Sequence, residues 1–417
     1  MVIGVACATV AWAVMSERWS RSEEWEVKEG NFLELRERAQ KWLPSVCRSC
    51  EAVREWPAMS SRRWSAEYLA GRCEERLLSV RAREEGEFVF QRAPEALPFP
   101  DETQHAIEAD PDVASFRVAA SSPSIQMSPE RFFNIASSSS SLSSSSMALH
   151  YWAGDSESFS AMVKEDVETG EGKGLWVSEE GRSSPLWIGQ ENVTVRRHFD
   201  YTHNVFVHLC GRKTLCLTKH GSPFATYPYF HPGYRQEHLS SASDLTASSC
   251  VTLQPGDVLY LPPFVWHWTR ADTFSVSLSF FSNPIRAADD QLLRLTLPFE
   301  PCWSSLQQRV ALSRYLASFP DIISHMQFSR YLPTFGPVAC NSNQRVCPFL
   351  PLDISDQQLA HDFARTGSAL LGALDEHNIA DPTVRRTLLA SYFDKLLIIF
   401  LPDPNQANYF IQCCIST

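Results

Sequence analysis

The feature that most constrains this chain is a His-x-Asp pair followed at a distance by a further histidine. His198 and Asp200 are separated by one residue, and His267 stands between two tryptophans. In a β-strand, residues i and i+2 point to the same face, so we expect His198 and Asp200 to share a face while Phe199 turns into packing. Two imidazoles and one carboxylate can occupy one face of a ferrous ion and leave the opposite face open. The sequence therefore predicts a mononuclear non-haem iron site, with its third ligand on another strand.

The surroundings of His267 favour a metal ligand over a core histidine or a loop residue. The chain contains 12 histidines, so an isolated His-x-Asp is expected by chance. Ahead of His267, however, residues 254–263 run Gln-Pro-Gly-Asp-Val-Leu-Tyr-Leu-Pro-Pro. This order is typical of a turn, an apolar strand and a proline stop. It places His267 at the end of a buried strand, where the flanking tryptophans can limit the access of water.

Five segments, in order and spacing, resemble the JmjC (Jumonji C) family in its small hydroxylase or cupin-like branch. They are Leu-Trp-Ile-Gly at 186–189, His-Phe-Asp at 198–200, Asn-Val-Phe-Val at 204–207, Gly-Arg-Lys at 211–213 and the strand pattern at 255–262. The resemblance implies a mainly β core with a double-stranded β-helix (cupin or jelly-roll) fold. It also implies N-terminal helices and a C-terminal helical region. As cofactor and cosubstrates it implies Fe(II), 2-oxoglutarate and dioxygen.

The same resemblance implies cosubstrate-binding roles for four more residues. Lys213 matches the carboxylate-binding lysine of the family, and a lysine that points inward without an anion is costly to bury. The alternative for Lys213 is a surface position at a hairpin turn. Asn204 matches a position that hydrogen-bonds near the cosubstrate. The family's usual Thr position is Val195 here, with Thr194 one residue away, and Ser279 stands where an Asn is common.

Three regions are expected along the 417 residues, which can bury a sizeable core and hold more than one domain. Residues 1–39 would form an N-terminal helical extension and residues 40–290 the JmjC or cupin-like oxygenase domain. Residues 291–417 would form a helical C-terminal region, because apolar residues recur there at helical spacing. In the JmjC family such helices can serve dimerisation, so a homodimer is one expectation and simple cover for the sheet is the other. The almost pure serine run at 137–146 is interpreted as a flexible insertion.

Local patterns add shorter expectations. Residues 91–127 are rich in Pro, Ala, Asp and Ser and are expected to form a loop. Ser128 followed by Pro129 predicts the start of a helix, since serine caps the first turn and proline fits its first position. Asp381 and Pro382 predict another helix start in the same way.

Twelve cysteines are a high count, and we expect most of them to be reduced in a cytoplasmic or nuclear protein. Cys47 and Cys50 form a CxxC, but no second pair follows at zinc-site spacing, so a structural zinc there is the less favoured interpretation. Cys210 and Cys216 lie in predicted core strands and are expected to be buried thiols.

The apolar stretch at residues 2–15 is shorter than the roughly 20 residues that a membrane span needs, and it lacks the positive flank of a signal peptide. A packed or frayed terminal helix is favoured there over a secretory or membrane-anchored segment. The net charge of −11 argues against nucleic acid as the main partner. The resemblance points instead to a protein or peptide substrate.

Together these features favour a JmjC-type protein hydroxylase that depends on Fe(II) and 2-oxoglutarate. No chromatin-reader domain or zinc-finger array accompanies the core, which favours hydroxylation over histone demethylation. Two alternatives stay open: a JmjC lysine demethylase, which would release formaldehyde, and a catalytically silent cupin-fold binding protein. The intact ligand set argues against the silent protein, whereas the changed Thr and Asn positions argue mildly for it.

Overall fold

The structure is a computed structural model that describes residues 26–59, 64–73, 75–90, 101–121, 124–138, 148–155, 165–167, 174–218, 226–239, 248–282, 285–295, 302–326, 335–340, 356–379 and 381–415. The apolar stretch at 2–15 and most of the serine run at 137–146 lie outside these residues.

Fourteen strands in the described residues form two sheets. In chain order they are β1 (Lys28–Gly30), β2 (Ser45–Cys47), β3 (Leu78–Arg83), β4 (Glu87–Phe88), β5 (Ser124–Met127), β6 (Leu149–Asp155), β7 (Pro185–Gly189), β8 (Thr194–His198), β9 (His203–Cys210), β10 (Lys213–Thr218), β11 (Ser248–Leu253), β12 (Val258–Leu261), β13 (Trp266–Ala271) and β14 (Ser275–Ser282). The larger sheet has the order β1-β2-β12-β9-β14-β7-β6-β3-β5, and the smaller has the order β11-β10-β13-β8-β4. From β7 to β14 the chain passes repeatedly between the two sheets. This arrangement confirms the mainly β, cupin-like architecture that the sequence predicts.

Eleven helices in the described residues surround this core. They are α1 (Phe32–Gln40), α2 (Ala66–Arg72), α3 (Asp101–Glu108), α4 (Pro111–Ala120), α5 (Pro129–Ser137), α6 (Arg286–Arg294), α7 (Ser305–Ala317), α8 (Pro320–Met326), α9 (Asp356–Glu376), α10 (Pro382–Phe400) and α11 (Pro404–Tyr409). A π-helical turn at Phe410–Cys414 follows the last of them. None of the helices within the described ranges has both the length and the apolar character needed to cross a membrane.

The space between the two sheets is filled by alternate residues of their strands. Phe206 of β9 and Leu259 of β12 face Leu215 and Leu217 of β10 in one buried cluster. Because side chains in a strand alternate between faces, Lys213 points to the same side as Leu215 and Leu217. The sequence thus carries a cation into the interior on an otherwise apolar face.

A sharp turn at Gly211 takes the chain from β9 in one sheet to β10 in the other. Gly211 has a φ of +77°, a left-handed conformation that residues with a Cβ rarely adopt. A Cβ at this position would also overlap the carbonyl oxygen of Phe274. The turn therefore requires glycine on both conformational and steric grounds, and it sets the position of Lys213 two residues later.

The C-terminal helices pack on the barrel and confirm the predicted helical region. They share one buried cluster with Phe199 and Trp266, which flank the predicted metal ligands. Polar contacts add to this packing, because the Tyr229 N–H donates to the Asp394 carboxylate at 2.9 Å. The hydroxyls of Tyr234 and Ser391 lie 2.7 Å apart. Dimerisation through these helices stays a prediction.

The expected loop at 91–127 was wrong over much of its length. Residues 101–120 contain α3 and α4, and Ser124–Met127 is strand β5, which pairs with β3. The helix starts were predicted correctly, since Ser128 caps α5 and α10 begins at Pro382.

The prediction that most cysteines are reduced thiols was wrong. Disulfides join Cys47 to Cys50, Cys216 to Cys250 and Cys340 to Cys413. Cys216, expected to be a thiol, lies directly opposite Cys250 in the β10–β11 register, a long-range pairing that sequence does not reveal. Cys210, in contrast, is a half-buried free thiol. The cytoplasmic or nuclear location stays a prediction.

The backbone strain at Gly211, in the turn between the two sheets, can be tested by comparing two glycines with positive φ. We expect Gly211→Ala to lower the free energy of unfolding by about 3 kcal/mol or more, because strain and steric overlap add. At Gly256, φ is also positive (+92°), but a Cβ would meet no atom closer than 3.9 Å. We expect Gly256→Ala to cost about 1–2 kcal/mol, from conformation alone. Urea unfolding of both variants compares the two, and equal losses would contradict the steric argument.

Candidate metal centre

Two neighbouring strands of the smaller sheet bring the predicted histidines together. β8 and β13 run antiparallel, and His198 at the end of β8 lies opposite His267 near the start of β13. The two imidazole centroids are 4.3 Å apart, and both residues are about 95% buried. The pairing of two strands therefore brings together two of the three candidate ligands without any contribution from loops.

Asp200 reaches the histidines by a different route from the one predicted. β8 ends at His198, so Asp200 lies in the following turn and does not share a strand face with His198. The Phe264 N–H donates to the Asp200 carbonyl at 2.8 Å and fixes this turn. The Asp200 carboxylate Oδ2 then lies 3.8 Å from His267 Nε2. The side chains converge as expected, but a turn and not strand alternation brings them together.

Backbone carbonyls set the orientation of both imidazoles. His198 Nδ1 lies 2.8 Å from the Arg196 carbonyl, and His267 Nδ1 lies 3.0 Å from the Val265 carbonyl. A carbonyl only accepts, so each Nδ1 must carry a proton, which leaves Nε2 as the nitrogen available to a metal. Burial, together with the nearby His267, lowers the pKa of His198 to about 3, so this ring is neutral at physiological pH. His198 is therefore in the form that binds a metal, and both rings offer Nε2 as the donor atom.

The donor atoms of His198, Asp200 and His267 all lie within 4.8 Å of one another. Ligands about 2.1 Å from an octahedral metal lie about 3 Å apart, so a small contraction suffices to complete the set. Two neutral imidazoles and one carboxylate fit a non-haem Fe(II) ion with open positions. The residues present therefore fit the group that the sequence predicts.

A cavity of about 290 Å³ opens beside these three residues. Aromatic side chains form much of its wall: Phe90, Tyr151, Trp187, Phe206 and Phe281. Polar groups at Asn204, Lys213, Thr269 and Ser279 also face it. Such a combination of apolar walls with few polar groups is typical of sites for small ligands.

Lys213 is the most unusual of these groups. It is only 5% exposed, and no described residue supplies an anion to it. Its ammonium lies instead 5.4 Å from the centre of the Phe206 ring. Burial lowers the pKa of Lys213 to about 8. A cation held in this way is stabilised by any anion that enters the cavity.

Comparison with known families finds a match to the model described as "Cupin-like domain" over residues 33–286. The chain belongs to the cupin-like domain family. This membership confirms the resemblance that the five sequence segments indicate.

Similar proteins include "Jumonji C domain-containing protein 5" of Drosophila melanogaster, 27% identical over 110 residues that cover 23% of this chain and 26% of the fly protein. "Lysine-specific demethylase JMJ30" of Arabidopsis thaliana is 27% identical over 111 residues, covering 24% of this chain and 26% of the plant protein. "Uncharacterized protein YxbC" of Bacillus subtilis is 31% identical over 100 residues, covering 21% and 30%. The matched stretch thus spans less than a third of each relative.

Three of the four residues predicted to bind the cosubstrate line the cavity of the cupin-like domain, and the fourth does not. Asn204 lines the cavity, and its buried Oδ1 has no partner in the described part of the chain. Ser279 also faces the cavity, and its Oγ accepts a hydrogen bond from Trp187 Nε1 at 2.8 Å. The role predicted for Thr194 does not fit the structure, because its exposed hydroxyl lies 3.4 Å from the Asn192 carbonyl. Val195 lines the cavity in its place. Strand alternation explains this, because neighbouring residues of β8 point to opposite faces.

Among the residues that sequence reasoning missed in this cupin-like cavity, three carry polar groups that can contact a ligand. Tyr151 enters from β6, and burial raises the pKa of its phenol, so it stays an O–H donor. Thr269 offers a buried hydroxyl without a partner among the described residues. Arg235 lies at the rim, with its guanidinium 3.7 Å from Asp200 and over the ring of Tyr201. Only the inward face of β13, set by His267, could have singled out Thr269 two residues later.

Removal of any one metal ligand tests this centre. We expect His198→Ala, Asp200→Ala and His267→Ala each to weaken Mn(II) binding more than ~100-fold, since loss of an outer-shell partner alone costs 10–100-fold. Titration calorimetry with Mn(II), an air-stable substitute for Fe(II), measures the affinity. His361→Ala is the control, because that imidazole is 74% exposed and far along the chain on α9. Unchanged affinity in the Asp200 variant would exclude the three-residue site.

Proposed function

We propose that this cupin-like protein is an Fe(II)- and 2-oxoglutarate-dependent oxygenase that hydroxylates a protein side chain. The observation that carries the proposal is one cavity that combines the ligand set of His198, Asp200 and His267 with the buried cation of Lys213, to which no described residue supplies an anion. The three donors suit a ferrous ion, and the lysine suits a carboxylate of a dicarboxylic acid.

The residues around Lys213 support a dicarboxylate as the cosubstrate. The ammonium of Lys213 would bind the carboxylate that lies farther from the metal, and the hydroxyls of Tyr151 and Thr269 would donate hydrogen bonds. The Asn204 side-chain N–H would donate to the same ligand. Iron, when bound, supplies the activation of dioxygen coupled to oxidative decarboxylation of 2-oxoglutarate.

The chain's own contribution is to hold and shield the reacting groups. The carbonyls of Arg196 and Val265 keep both imidazoles oriented with Nε2 toward the metal position. Phe90 packs 5.2 Å from the His198 ring and excludes water on that side. Exclusion of water strengthens the electrostatic contacts inside the cavity and protects the reaction from side paths.

The size of the cavity favours a side chain as the substrate. At about 290 Å³ it lies at the small end of ligand sites, so a dicarboxylate and the tip of one side chain fill it. Arg235 at the rim, 33% exposed, can hydrogen-bond the carbonyl or carboxylate groups of an incoming segment. A peptide segment that inserts one residue meets these limits.

Lysine demethylation is a second candidate, favoured by the name of the Arabidopsis relative. Both reactions begin with hydroxylation of a C–H bond, and they differ in whether the product loses formaldehyde. A silent binding protein is the third possibility, and the chemistry of the unpaired Lys213 disfavours it, since a mere scaffold gains nothing from a buried cation.

Turnover of 2-oxoglutarate tests the proposal. Purified protein with Fe(II) and ascorbate should convert 2-oxoglutarate to succinate, and candidate peptides should gain the mass of one oxygen atom. His198→Ala should abolish both. Formaldehyde release would identify a demethylase, whereas bound iron without succinate formation would favour a silent protein.

Lys213→Met tests the cosubstrate position. The variant keeps most of the side-chain volume but loses the charge, so we expect 2-oxoglutarate binding to weaken by about 2–5 kcal/mol, roughly 30-fold or more. Calorimetry in the presence of Mn(II) measures the affinity. Arg212→Met is the matched control, because that neighbouring guanidinium is 56% exposed and points away from the cavity. Equal losses in both variants would contradict the assignment.

The pH dependence of binding provides an independent test. Lys213 in the empty cavity has a pKa of about 8, and a bound carboxylate favours its protonated form and raises that pKa. Binding above pH 8 therefore takes up a proton, and the affinity for 2-oxoglutarate should fall by up to about tenfold per pH unit there. Below that pH the affinity should level off. Lys213→Arg should remove the alkaline decline, because arginine stays charged.

A further inference from the structure

The CxxC segment at Cys47 and Cys50 lies apart from the metal centre and has no part in the proposed oxygenase reaction. Cys47 ends β2, and Cys50 follows in a turn where the disulfide joins them. The Cys50 N–H donates to the Gly256 carbonyl at 2.8 Å, and the Ser49 N–H donates to the Asp257 carboxylate at 2.9 Å. The pair is thus held on a rigid turn of the barrel.

A second cavity, of about 400 Å³, meets this pair on one side only. Cys50, Arg54, Met59 and Cys210 line it, whereas Cys47 does not. Cys50 is fully buried, so a small thiol can reach its sulfur through this cavity after a side chain of the cavity wall has moved. Met59 is the wall residue best suited to move, because its thioether side chain is flexible.

A carboxylate oxygen of Glu51 lies within 4.8 Å of both sulfurs. Glu51 Oε2 lies 3.5 Å from Cys47 Sγ. Hydrogen bonds from its own N–H and from that of Phe32 lower the pKa of Glu51, so it is a carboxylate at neutral pH. On the other side, Arg54 follows Cys50 by one helical turn and faces the same cavity. Because Glu51 is close to both sulfurs, access decides between them: the cavity is lined by Cys50 and not by Cys47, so Cys50 is the sulfur that a small disulfide reaches first.

We propose that Cys47 and Cys50 form a reversible thiol–disulfide exchange site for small thiols and disulfides, with Cys50 as the attacking sulfur and Cys47 as the resolving one. The inference stands apart from the oxygenase function, since the two cavities have no lining residue in common.

The exchange balances in two steps. The Cys50 thiolate attacks a small disulfide, a mixed disulfide forms, and one small thiolate leaves and takes a proton from water. The Cys47 thiol then gives its proton to the Glu51 carboxylate as its sulfur attacks Cys50. The Cys47–Cys50 bond forms, the second small thiolate leaves, and it takes up that proton. Two electrons pass from the protein dithiol to the small disulfide.

Neighbouring groups disfavour two alternatives, namely Cys210 as the reacting thiol and zinc binding by the reduced pair. Burial raises the pKa of Cys210 to about 11, so this thiol stays protonated although it lines the same cavity. A metal bound by the reduced pair would have Glu51 as the third ligand, and no fourth His, Cys, Asp or Glu from the described residues completes the group. Structural zinc sites are almost always four-coordinate, which disfavours that use of the pair.

Single-cysteine variants of the full chain test the assignment with oxidised glutathione as the probe. Cys47→Ser should acquire one glutathione on Cys50, and Cys50→Ser should react at Cys47 about tenfold more slowly, because Cys47 does not line the cavity through which glutathione enters. Peptide mapping identifies the modified residue. Cys210→Ser, in the same cavity, should leave the exchange rate unchanged. Equal rates for the first two variants would overturn the assigned polarity.

Measurements on the wild-type chain guard against loss of folding in the variants. In glutathione redox buffers the Cys47–Cys50 pair should be reduced reversibly while circular dichroism stays native and Cys216–Cys250 stays oxidised. Glu51→Gln should slow the closing of the mixed disulfide without slowing its formation. Reduction of Cys47–Cys50 only upon unfolding, or stoichiometric Zn(II) binding by a reduced pair that ignores oxidised glutathione, would refute the proposal.

Discussion

The antiparallel register between β8 and β13 is the constraint on which the candidate metal centre depends. It sets His198 opposite His267, and the backbone carbonyls of Arg196 and Val265 then determine which ring nitrogen faces the cavity. A slip of β8 by one residue would turn the His198 imidazole to the other face of the sheet, away from His267. Val195 of β8 and Ala271 of β13 pack in one buried cluster, so the hydrophobic core and the ligand geometry are specified together.

A second dependence concerns charge in the interior. β10 carries Lys213 inward on the face that also buries Leu215 and Leu217, and the desolvation of that ammonium opposes folding. This unfavourable burial occurs at the wall of the cavity that is also lined by the three candidate metal ligands. Residues that destabilise the empty protein and favour an occupied one are expected at binding sites, where local rules of stability are broken for function.

Sequence alone predicted the β core, the helical C-terminal region and the convergence of His198, Asp200 and His267, because each depends on local periodicity or on motifs in a fixed order. It did not predict what depends on partners distant in the chain. Asp200 lies in a turn held by Phe264, Thr194 faces away from the cavity, and Cys216 pairs with Cys250 across two strands. Helices α3 and α4 were missed because their composition resembles that of loops. Tyr151 escaped notice because its strand reads as ordinary apolar packing until its neighbour in the sheet is known.

The hydrogen bonds from Tyr229 and Tyr234 to α10 connect distant parts of the chain. The segment at 226–239 that contains both tyrosines also lies against the end of β8, where the Phe199 N–H donates to the Arg235 carbonyl at 3.0 Å. The histidine ligand and the rim arginine are thus braced from behind by a helix that begins almost two hundred residues later in the chain. A fragment cut at the boundary of the family match would leave that brace behind and uncover an aromatic surface. Trimming the protein to its recognisable domain would therefore remove the helix that keeps the cavity beside His198 in shape.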